Sequence, residues 1–243
     1  MKYIAMDLDG TMLDSMSYWR KLAHKYLKSR NLTVDKELNK KLNSMPLAES
    51  CKFLIQHFEL SDTPKEFYEK IKTLLIEPYK TTIPLKPYVK EFLENAKNSD
   101  TRLCVATAAE NIFVMPALER LGLSHFFDFV QTSENVGLSK ADPKFFEKIK
   151  EKFELQDEEI ILFDDSYYAL ASAKTVGFKI VGVKDLDNLN EEKKIKNITY
   201  EQHEQAIQNA QSQRQNVQDQ IDQDQDVSGS GNAQEGSEPS QDG

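Results

Sequence analysis

The chain has 243 residues, of which 39% are hydrophobic and 29% are charged, so it holds enough apolar material for a buried core. Its net charge at pH 7 is −9, but residues 201–243 contain nine acidic residues and one basic residue and account for −8 of that charge. Residues 1–200 are therefore near neutral and carry no stripe of Lys and Arg, which argues against a protein dedicated to binding nucleic acid.

The N-terminal sequence and the cysteine content indicate the compartment. The apolar stretch at residues 2–6 is broken by Asp7 and Asp9, unlike a signal peptide, and no window approaches the length of a membrane span. The two cysteines, Cys51 and Cys104, imply no disulfide framework. We therefore expect a cytoplasmic protein that binds no membrane and acts as a monomer.

Four short apolar runs, each ending in polar residues, predict the strands of a sheet. They are residues 2–6, 102–106, 159–163 and 179–183. The first three are each followed by a helix-like stretch, and strands that alternate with helices form parallel sheets with helices on both faces. The sequence therefore predicts an α/β fold with a Rossmann-like core.

Residues 17–80 lie between the first two predicted strands and contain no strand-like run. They hold amphipathic segments, at residues 18–28, 36–42, 48–58 and 64–79. A parallel crossover needs only about a dozen residues, so an insertion of this size predicts a small helical-bundle cap domain on the carboxyl edge of the sheet. The predicted domains are a catalytic core of residues 1–16 and 81–200 and a helical cap of residues 17–80.

Local signals mark several helix ends. Thr63-Pro64 and Asp142-Pro143 each place a capping residue before a proline, which is typical of a helix start. Gly122 and Gly177 follow apolar periodic runs, where a helix commonly ends in a left-handed residue. These signals predict the start of two helices and the end of two others.

The last segment, residues 201–243, has a different composition. It contains no aromatic residue and is rich in Gln, Gly, Ser and Asp. Such a sequence cannot bury enough apolar surface to offset the entropy of ordering. We therefore predict a disordered, acidic tail without catalytic residues.

Acidic residues follow two of the predicted strands. Asp7 and Asp9 end the first strand, and Asp164 and Asp165 end the third. Side chains two apart in an extended chain share a face, and like charges this close require a cation between them. Oxygen ligands suit a hard divalent ion, and Mg²⁺ fits a site that also handles phosphate. The pattern predicts a magnesium site at the carboxyl edge of the sheet.

The motifs, taken together, resemble the haloacid dehalogenase superfamily of aspartate-nucleophile phosphotransferases. The sequence DLDGT at residues 7–11, followed by Asp14, is similar to its first motif. Thr107 is similar to the second motif, Lys140 to the third, and DDS at residues 164–166 to the fourth. The helical insertion between the first and second motifs resembles the helical-cap subfamily, which includes β-phosphoglucomutase and phosphoglycolate phosphatase.

This resemblance implies a role for each motif residue. Asp7 would be the nucleophile that forms an aspartyl-phosphate, and Asp9 would donate a proton to the leaving alcohol and later accept one from water. Thr107 would hold the phosphoryl oxygens, and Lys140 would neutralise the charge of Asp7 and the phosphate.

The resemblance also implies a set of metal and substrate contacts. Mg²⁺ would be held by the Asp7 carboxylate, the Asp9 backbone carbonyl and Asp165, with Asp164 acting through a water. Residues expected to contact the substrate are Thr11, Trp19 and Ala108. Ala108 stands where many relatives carry Asn or Ser, and for Trp19 a place in the hydrophobic core is the alternative interpretation.

Three functions are open at this point. The first is a Mg²⁺-dependent phosphatase for a small soluble phosphomonoester, whose partner is a phosphorylated metabolite. The second is a phosphoglucomutase-like phosphotransferase, but the mutases that this chain resembles tend to have a His at the position of Trp19 and a basic residue near Met45. The third is a non-catalytic binding module, although such proteins normally lose the nucleophile or a metal ligand.

Overall fold

The computed structural model describes residues 2–35, 37–38, 42, 47–156, 158–185, 191–199, 201–202 and 212. The chain divides into two compact units, Met1–Thr199 and Tyr200–Gly243. Nearly all of the predicted tail and most of the predicted helical segment at residues 36–42 lie outside the described residues. Within the described part, no helix is both long enough and apolar enough to cross a membrane.

A parallel sheet of five strands forms the centre of the first unit. Its strands lie in the order β3-β2-β1-β4-β5 and are, in chain order, β1 Lys2–Met6, β2 Thr101–Thr107, β3 Phe129–Thr132, β4 Ile160–Asp164 and β5 Lys179–Gly182. This topology confirms the predicted α/β fold. Because β1 lies in the middle, its carboxyl end is flanked by the ends of β2 and β4.

The edge strand β3 was absent from the predicted set of four strands, which is a correction to the sequence analysis. It has only four residues, and its third, Gln131, is a polar residue that interrupts the apolar run. Gln131 is nevertheless fully buried; its Nε2 donates a hydrogen bond to the Phe145 carbonyl at 2.6 Å, whereas its Oε1 has no partner among the described residues. A polar residue whose amide group is bonded by a distant partner cannot be recognised from local hydrophobicity.

Eight helices accompany the sheet in the described residues. They are α1 Met16–Ser29, α2 Leu47–His57, α3 Pro64–Thr81, α4 Val89–Asn98, α5 Asn111–Arg120, α6 Ser133–Val136, α7 Pro143–Phe153 and α8 Tyr167–Thr175, with a 3₁₀ turn at Ser124–Phe126 and a further helical stretch at residues 192–199. The predicted helix starts are confirmed, since Thr63 forms a capping box with Glu66 and Asp142 accepts from the Lys144 N–H. Gly122 and Gly177 adopt the expected positive φ.

Both faces of the sheet are covered, as predicted. In β1, Ile4 and Met6 belong to a hydrophobic cluster that includes residues of α4 and α5, whereas Tyr3 and Ala5 belong to a second cluster that includes residues of α7 and α8. Successive side chains of a strand point to opposite faces. Residues 3–6 of the strand are therefore all apolar, because each face is buried against its own layer of helices.

The described part of residues 17–80 is helical and contains no strand. Helices α1 and α2 both pack against α3, and α3 packs in turn against α5. Met1–Thr199 forms one compact unit. The separation of that unit into a catalytic core and a helical cap domain stays a prediction.

Helices α1 and α3 are joined by a buried carboxylate in the segment before α3. Asp62, whose side chain is 3% exposed, accepts hydrogen bonds from Arg30 Nη1 at 2.7 Å and from Lys70 Nζ at 2.5 Å. The hydrogen bonds from Lys70 and Arg30 hold the pKa of Asp62 below its ordinary value, although its burial opposes that shift. Asp62 therefore stabilises the fold as an anion.

We predict that Asp62→Asn lowers the free energy of unfolding at pH 7 by about 2 kcal/mol, because the hydrogen bonds from Arg30 and Lys70 lose their anionic acceptor. Since the folded state lowers this pKa, the contribution is present above the ordinary pKa of Asp and is lost as the pH falls through the folded value. Urea unfolding should therefore show a smaller difference between variant and parent at pH 3 than at pH 7.

The matched control is Glu151→Gln, which removes a carboxylate from an exposed ion pair with Lys148. It should change the free energy of unfolding by less than about 0.5 kcal/mol. An Asp62→Asn effect of the same small size as this control would contradict the stabilising role of Asp62.

Candidate active site

Three buried carboxylates meet at the carboxyl edge of the sheet. Asp7 directly follows β1, Asp164 is the last residue of β4, and Asp165 comes next. One oxygen from each of the three lies within 4.8 Å of the others. Parallel strands bring their carboxyl ends to one edge, and this topology places residues more than 150 positions apart in a single cluster.

Lys140, in the segment before α7, supplies the positive charge of this cluster. Its side chain is 2% exposed, and its Nζ donates to Asp7 Oδ1 at 2.7 Å and to Asp164 Oδ2. Burial by itself would lower the pKa of Lys140, but the charges of Asp164 and Asp7 raise it above its usual range. Lys140 is therefore charged. Lys144 and Lys148, which are close to it in sequence, lie instead on the exposed surface of α7.

One ammonium does not balance three carboxylates. Burial and the charges of Asp7 and Asp164 raise the pKa of Asp165 far above its ordinary value, and burial likewise raises the pKa of Asp164. Such shifts are the response of buried acids to uncompensated negative charge. A divalent cation with oxygen ligands would supply the missing charge, so the donor set fits Mg²⁺.

Gly10 allows the loop after β1 to lie against this cluster. Its φ is +77°, and a Cβ at this position would lie 2.3 Å from Asp165 Oδ2. Any side chain would therefore collide with a carboxylate of the cluster and would also strain the backbone. The glycine of the DLDGT sequence is required by the close approach of Asp165.

The Asp9 carboxylate lies apart from the three clustered carboxylates and is bound by residues of the helical insertion and its entry. Its Oδ1 accepts hydrogen bonds from Ser15 Oγ and Tyr79 Oη, both at 2.5 Å. Tyr79 Oη accepts in turn from Trp19 Nε1 at 2.9 Å. Loss of contact with water raises the pKa of Asp9 to about 6. The Tyr79 contact joins residues 70 positions apart, and nothing in the sequence singles Tyr79 out.

Thr107 and Thr11 occupy different environments. Thr107, at the end of β2, is buried, and its Oγ1 accepts from the Ala109 N–H at 3.1 Å, which leaves the hydroxyl proton free to be donated to another acceptor. Thr11 is also buried, but its Oγ1 has no hydrogen-bond partner among the described residues. Thr11 is not among the described residues that line the adjacent cavity.

A cavity of about 330 Å³ opens onto this site. The predicted residues Asp7, Asp9, Thr107, Ala108 and Asp165 all line it. Lys140 and Asp164 lie behind this lining, bonded to each other and, through Lys140, to Asp7. The cavity therefore gives a ligand access to the acidic cluster through Asp7 and Asp165.

Trp19 lies at the border between the cavity and the hydrophobic core, the two environments considered for it. Its indole forms part of the cavity wall and packs edge-to-face on Phe113, with ring centroids 5.9 Å apart. It is half-buried and also contacts the hydrophobic core. Met45, the other position that bears on the mutase alternative, lies outside the described residues.

A family model for haloacid dehalogenase-like hydrolases matches residues 4–183 of the chain. The chain belongs to this family. The match spans all four motifs and the helical insertion between the first two. It confirms the resemblance inferred from the DLDGT motif and the residues that accompany it.

Individual relatives are phosphatases by name. A phosphorylated carbohydrates phosphatase of Thermotoga maritima is 24% identical over 75% of this chain and 85% of its own length. The fructose-1-phosphate phosphatase of Escherichia coli is 24% identical over 74% of this chain and 95% of its own length. Together with the family match, these relatives confirm the expected enzyme class, a phosphoric monoester hydrolase.

Solved structures share the fold. A Thermotoga maritima protein described as a β-phosphoglucomutase superposes with a TM-score of 0.67 at 23% identity, over 76% of this chain and 87% of its own. An identity at this level supports the architecture alone. The predicted fold class is confirmed by this similarity as well as by the sheet topology.

We predict that Tyr79→Phe lowers kcat/KM for benzyl phosphate about tenfold, which corresponds to the loss of one hydrogen bond to a charged group. With Asp9 in its predicted role as proton donor, the loss should be smaller for p-nitrophenyl phosphate, because p-nitrophenolate leaves without a proton. Steady-state kinetics with both esters measure the difference.

Tyr26→Phe is the matched control, because it removes a hydroxyl from another buried tyrosine, one that faces Asp62. It should leave both kcat/KM values within about twofold. Equal losses on both esters in Tyr79→Phe would show that Tyr79 supports the site in general but does not act through the proton donor.

Proposed function

We propose that this hydrolase is a Mg²⁺-dependent phosphatase that acts on a small, soluble phosphomonoester through an aspartyl-phosphate on Asp7. The main support is the buried contact of Asp7 with the Lys140 ammonium, beside Asp165 in the cavity wall. An anionic nucleophile can approach an anionic phosphate only where positive charge compensates both of them. Lys140 is placed to provide part of that charge.

The proposed reaction has two displacements at phosphorus. In the first, an Asp7 oxygen bonds to phosphorus, the bond from phosphorus to the alcohol oxygen breaks, and Asp9 gives its proton to the departing alcohol. In the second, the oxygen of a water bonds to phosphorus while Asp9 takes a proton from that water, and the bond between phosphorus and the Asp7 oxygen breaks to release inorganic phosphate. Asp9 thus ends the cycle as it began.

The remaining groups hold the phosphoryl oxygens and balance their charge. The Thr107 hydroxyl can donate to a phosphoryl oxygen because its own oxygen already accepts from Ala109. Mg²⁺ would be held by the Asp7 carboxylate, the Asp9 backbone carbonyl and Asp165, with Asp164 acting through a water. When bound, the metal supplies charge that stabilises the transferring phosphoryl group.

The phosphoglucomutase-like alternative has less support. It requires a second anion site for a bisphosphate, and the position where the resembling mutases tend to have a His is occupied by Trp19. The Trp19 indole is engaged with Tyr79 and Phe113. Transfer to water is therefore the reaction that the described residues favour.

We expect Asp7→Asn to lower kcat for p-nitrophenyl phosphate by about a thousandfold or more, because the amide cannot form the covalent intermediate. Mass spectrometry of acid-quenched protein should show one added phosphoryl group in the parent and none in the variant. The control is Glu94→Gln, an exposed carboxylate on α4. A variant that keeps a tenth of the parent activity would rule out Asp7 as the nucleophile.

We also expect Asp165→Ala to raise the Mg²⁺ concentration for half-maximal activity by about tenfold or more, because the ion loses a protein oxygen ligand. The measurement is activity against free Mg²⁺, starting from protein stripped with EDTA, with Glu94→Gln again as control. Stripped parent protein should be inactive until Mg²⁺ is returned. Full activity after exhaustive chelation would refute the metal assignment.

A further inference from the structure

The part of the cavity wall that is not assigned to catalysis is aromatic. Trp19 and Phe113 contact each other edge-to-face, and Tyr68 of α3 and Tyr168 of α8 also line the space. Tyr168 is 45% exposed, whereas Phe113 is 1% exposed and packs against Trp19 and Tyr79, so the rings that a ligand can reach are those of Trp19, Tyr68 and Tyr168. Aromatic faces of this kind bind flat or apolar ligand surfaces by stacking and by burial of area.

The charge on this wall is negative. Glu110 is the one charged side chain among the described lining residues that lies outside the catalytic set. The nearest lysine on α3, Lys72, is already bonded to Glu110 Oε2 and lies 3.4 Å from Glu69 Oε2. Lys72 is therefore compensated by two carboxylates and offers little attraction to a second anion.

The N-terminus of α5, beside the cavity, is also already bonded to a carboxylate of the protein. Free N–H groups at a helix start attract anions. Here the backbone N–H and the Nδ2 of Asn111 both donate to Glu134 Oε2, at 2.9 and 3.1 Å. The carboxylate of Glu134 thus fills the position that an anionic substrate group would need.

From this wall we infer the substrate class: a phosphomonoester of an uncharged alcohol that carries a flat ring, without a second phosphate or a carboxylate. The inference rests on the proposed phosphatase function. The phosphate would be held at Asp7, Thr107 and Lys140, and the ring would lie against Trp19 and its aromatic neighbours. A second anion would meet Glu110 in the cavity wall, where Glu110, Glu69 and Lys72 together carry one net negative charge that repels it.

The test compares two esters that differ in one charge, benzyl phosphate and 4-carboxybenzyl phosphate, with the full-length Mg²⁺-loaded protein. We expect kcat/KM to favour benzyl phosphate by about tenfold or more. Glu110→Gln should reduce that preference to about threefold or less, since it removes the repelling charge and one of the two carboxylates that compensate Lys72. Glu94→Gln should leave the preference unchanged.

A second comparison tests the aromatic wall. Trp19→Leu removes the hydrogen bond to Tyr79 for every substrate, so kcat/KM should fall for both benzyl phosphate and ethyl phosphate. The ratio of the two kcat/KM values should fall by about threefold or more against ethyl phosphate as reference, because only benzyl phosphate has a ring to stack. Trp19 is the only tryptophan of the chain. Binding of benzylphosphonate, which the enzyme cannot hydrolyse, should therefore change the intrinsic tryptophan fluorescence of the parent protein.

The outcomes separate the two proposals. If neither benzyl phosphate nor p-nitrophenyl phosphate is hydrolysed, the proposed function is wrong. If both are hydrolysed but the carboxylated ester is turned over as fast as benzyl phosphate, the phosphatase stands and the inferred substrate class is wrong. The comparison of the two esters needs no variant, so it remains decisive even if Glu110→Gln fails to fold.

Discussion

The confinement of Asp7, Asp164 and Asp165 in one buried cluster is the constraint on which the rest of the site depends. Three carboxylates removed from water repel one another. The buried ammonium of Lys140 contacts two of them, Asp7 and Asp164, and offsets part of this repulsion. The strand order places β1 and β4 side by side and parallel, so their carboxyl ends lie next to each other. The remaining excess of negative charge is the physical reason to expect a divalent cation there.

The helical insertion and the residue that precedes it bind the carboxylate of Asp9. Ser15, just before α1, and Tyr79, near the end of α3, both donate to the same oxygen of Asp9. Arg120 of α5 donates to the backbone carbonyls of Tyr79 and Ile83, which fixes the end of α3 against a helix that flanks the sheet. The position of the proposed proton donor therefore depends on how the insertion packs, although Asp9 itself belongs to the loop after β1.

The two walls of the cavity carry different kinds of side chain. The wall formed by the strand ends carries the charged and hydroxyl groups that a phosphoryl group requires. The wall formed by α1, α3, α5 and α8 carries aromatic rings and Glu110. In the proposed reaction, charge and position would hold the transferring phosphate, and the aromatic wall would distinguish the alcohol.

The sequence by itself determined the features that depend on local pattern. Apolar runs ending in Asp7 and Asp164 predicted two strands and their catalytic edge, and Thr63 and Asp142 predicted two helix starts, because hydrophobic periodicity and capping act over a few residues. The edge strand with Gln131 was missed, because its burial depends on the distant Phe145 carbonyl.

Only the tertiary structure decided which side chains meet across the chain. Tyr79 has the spacing of an ordinary core residue of an amphipathic helix, and nothing near it in sequence points to Asp9. Nothing in the sequence singles out Glu110 or Glu134; packing places the first in the cavity wall and the second at the start of α5. Periodicity encodes whether a side chain is buried, but the partner it meets is set by how distant elements pack.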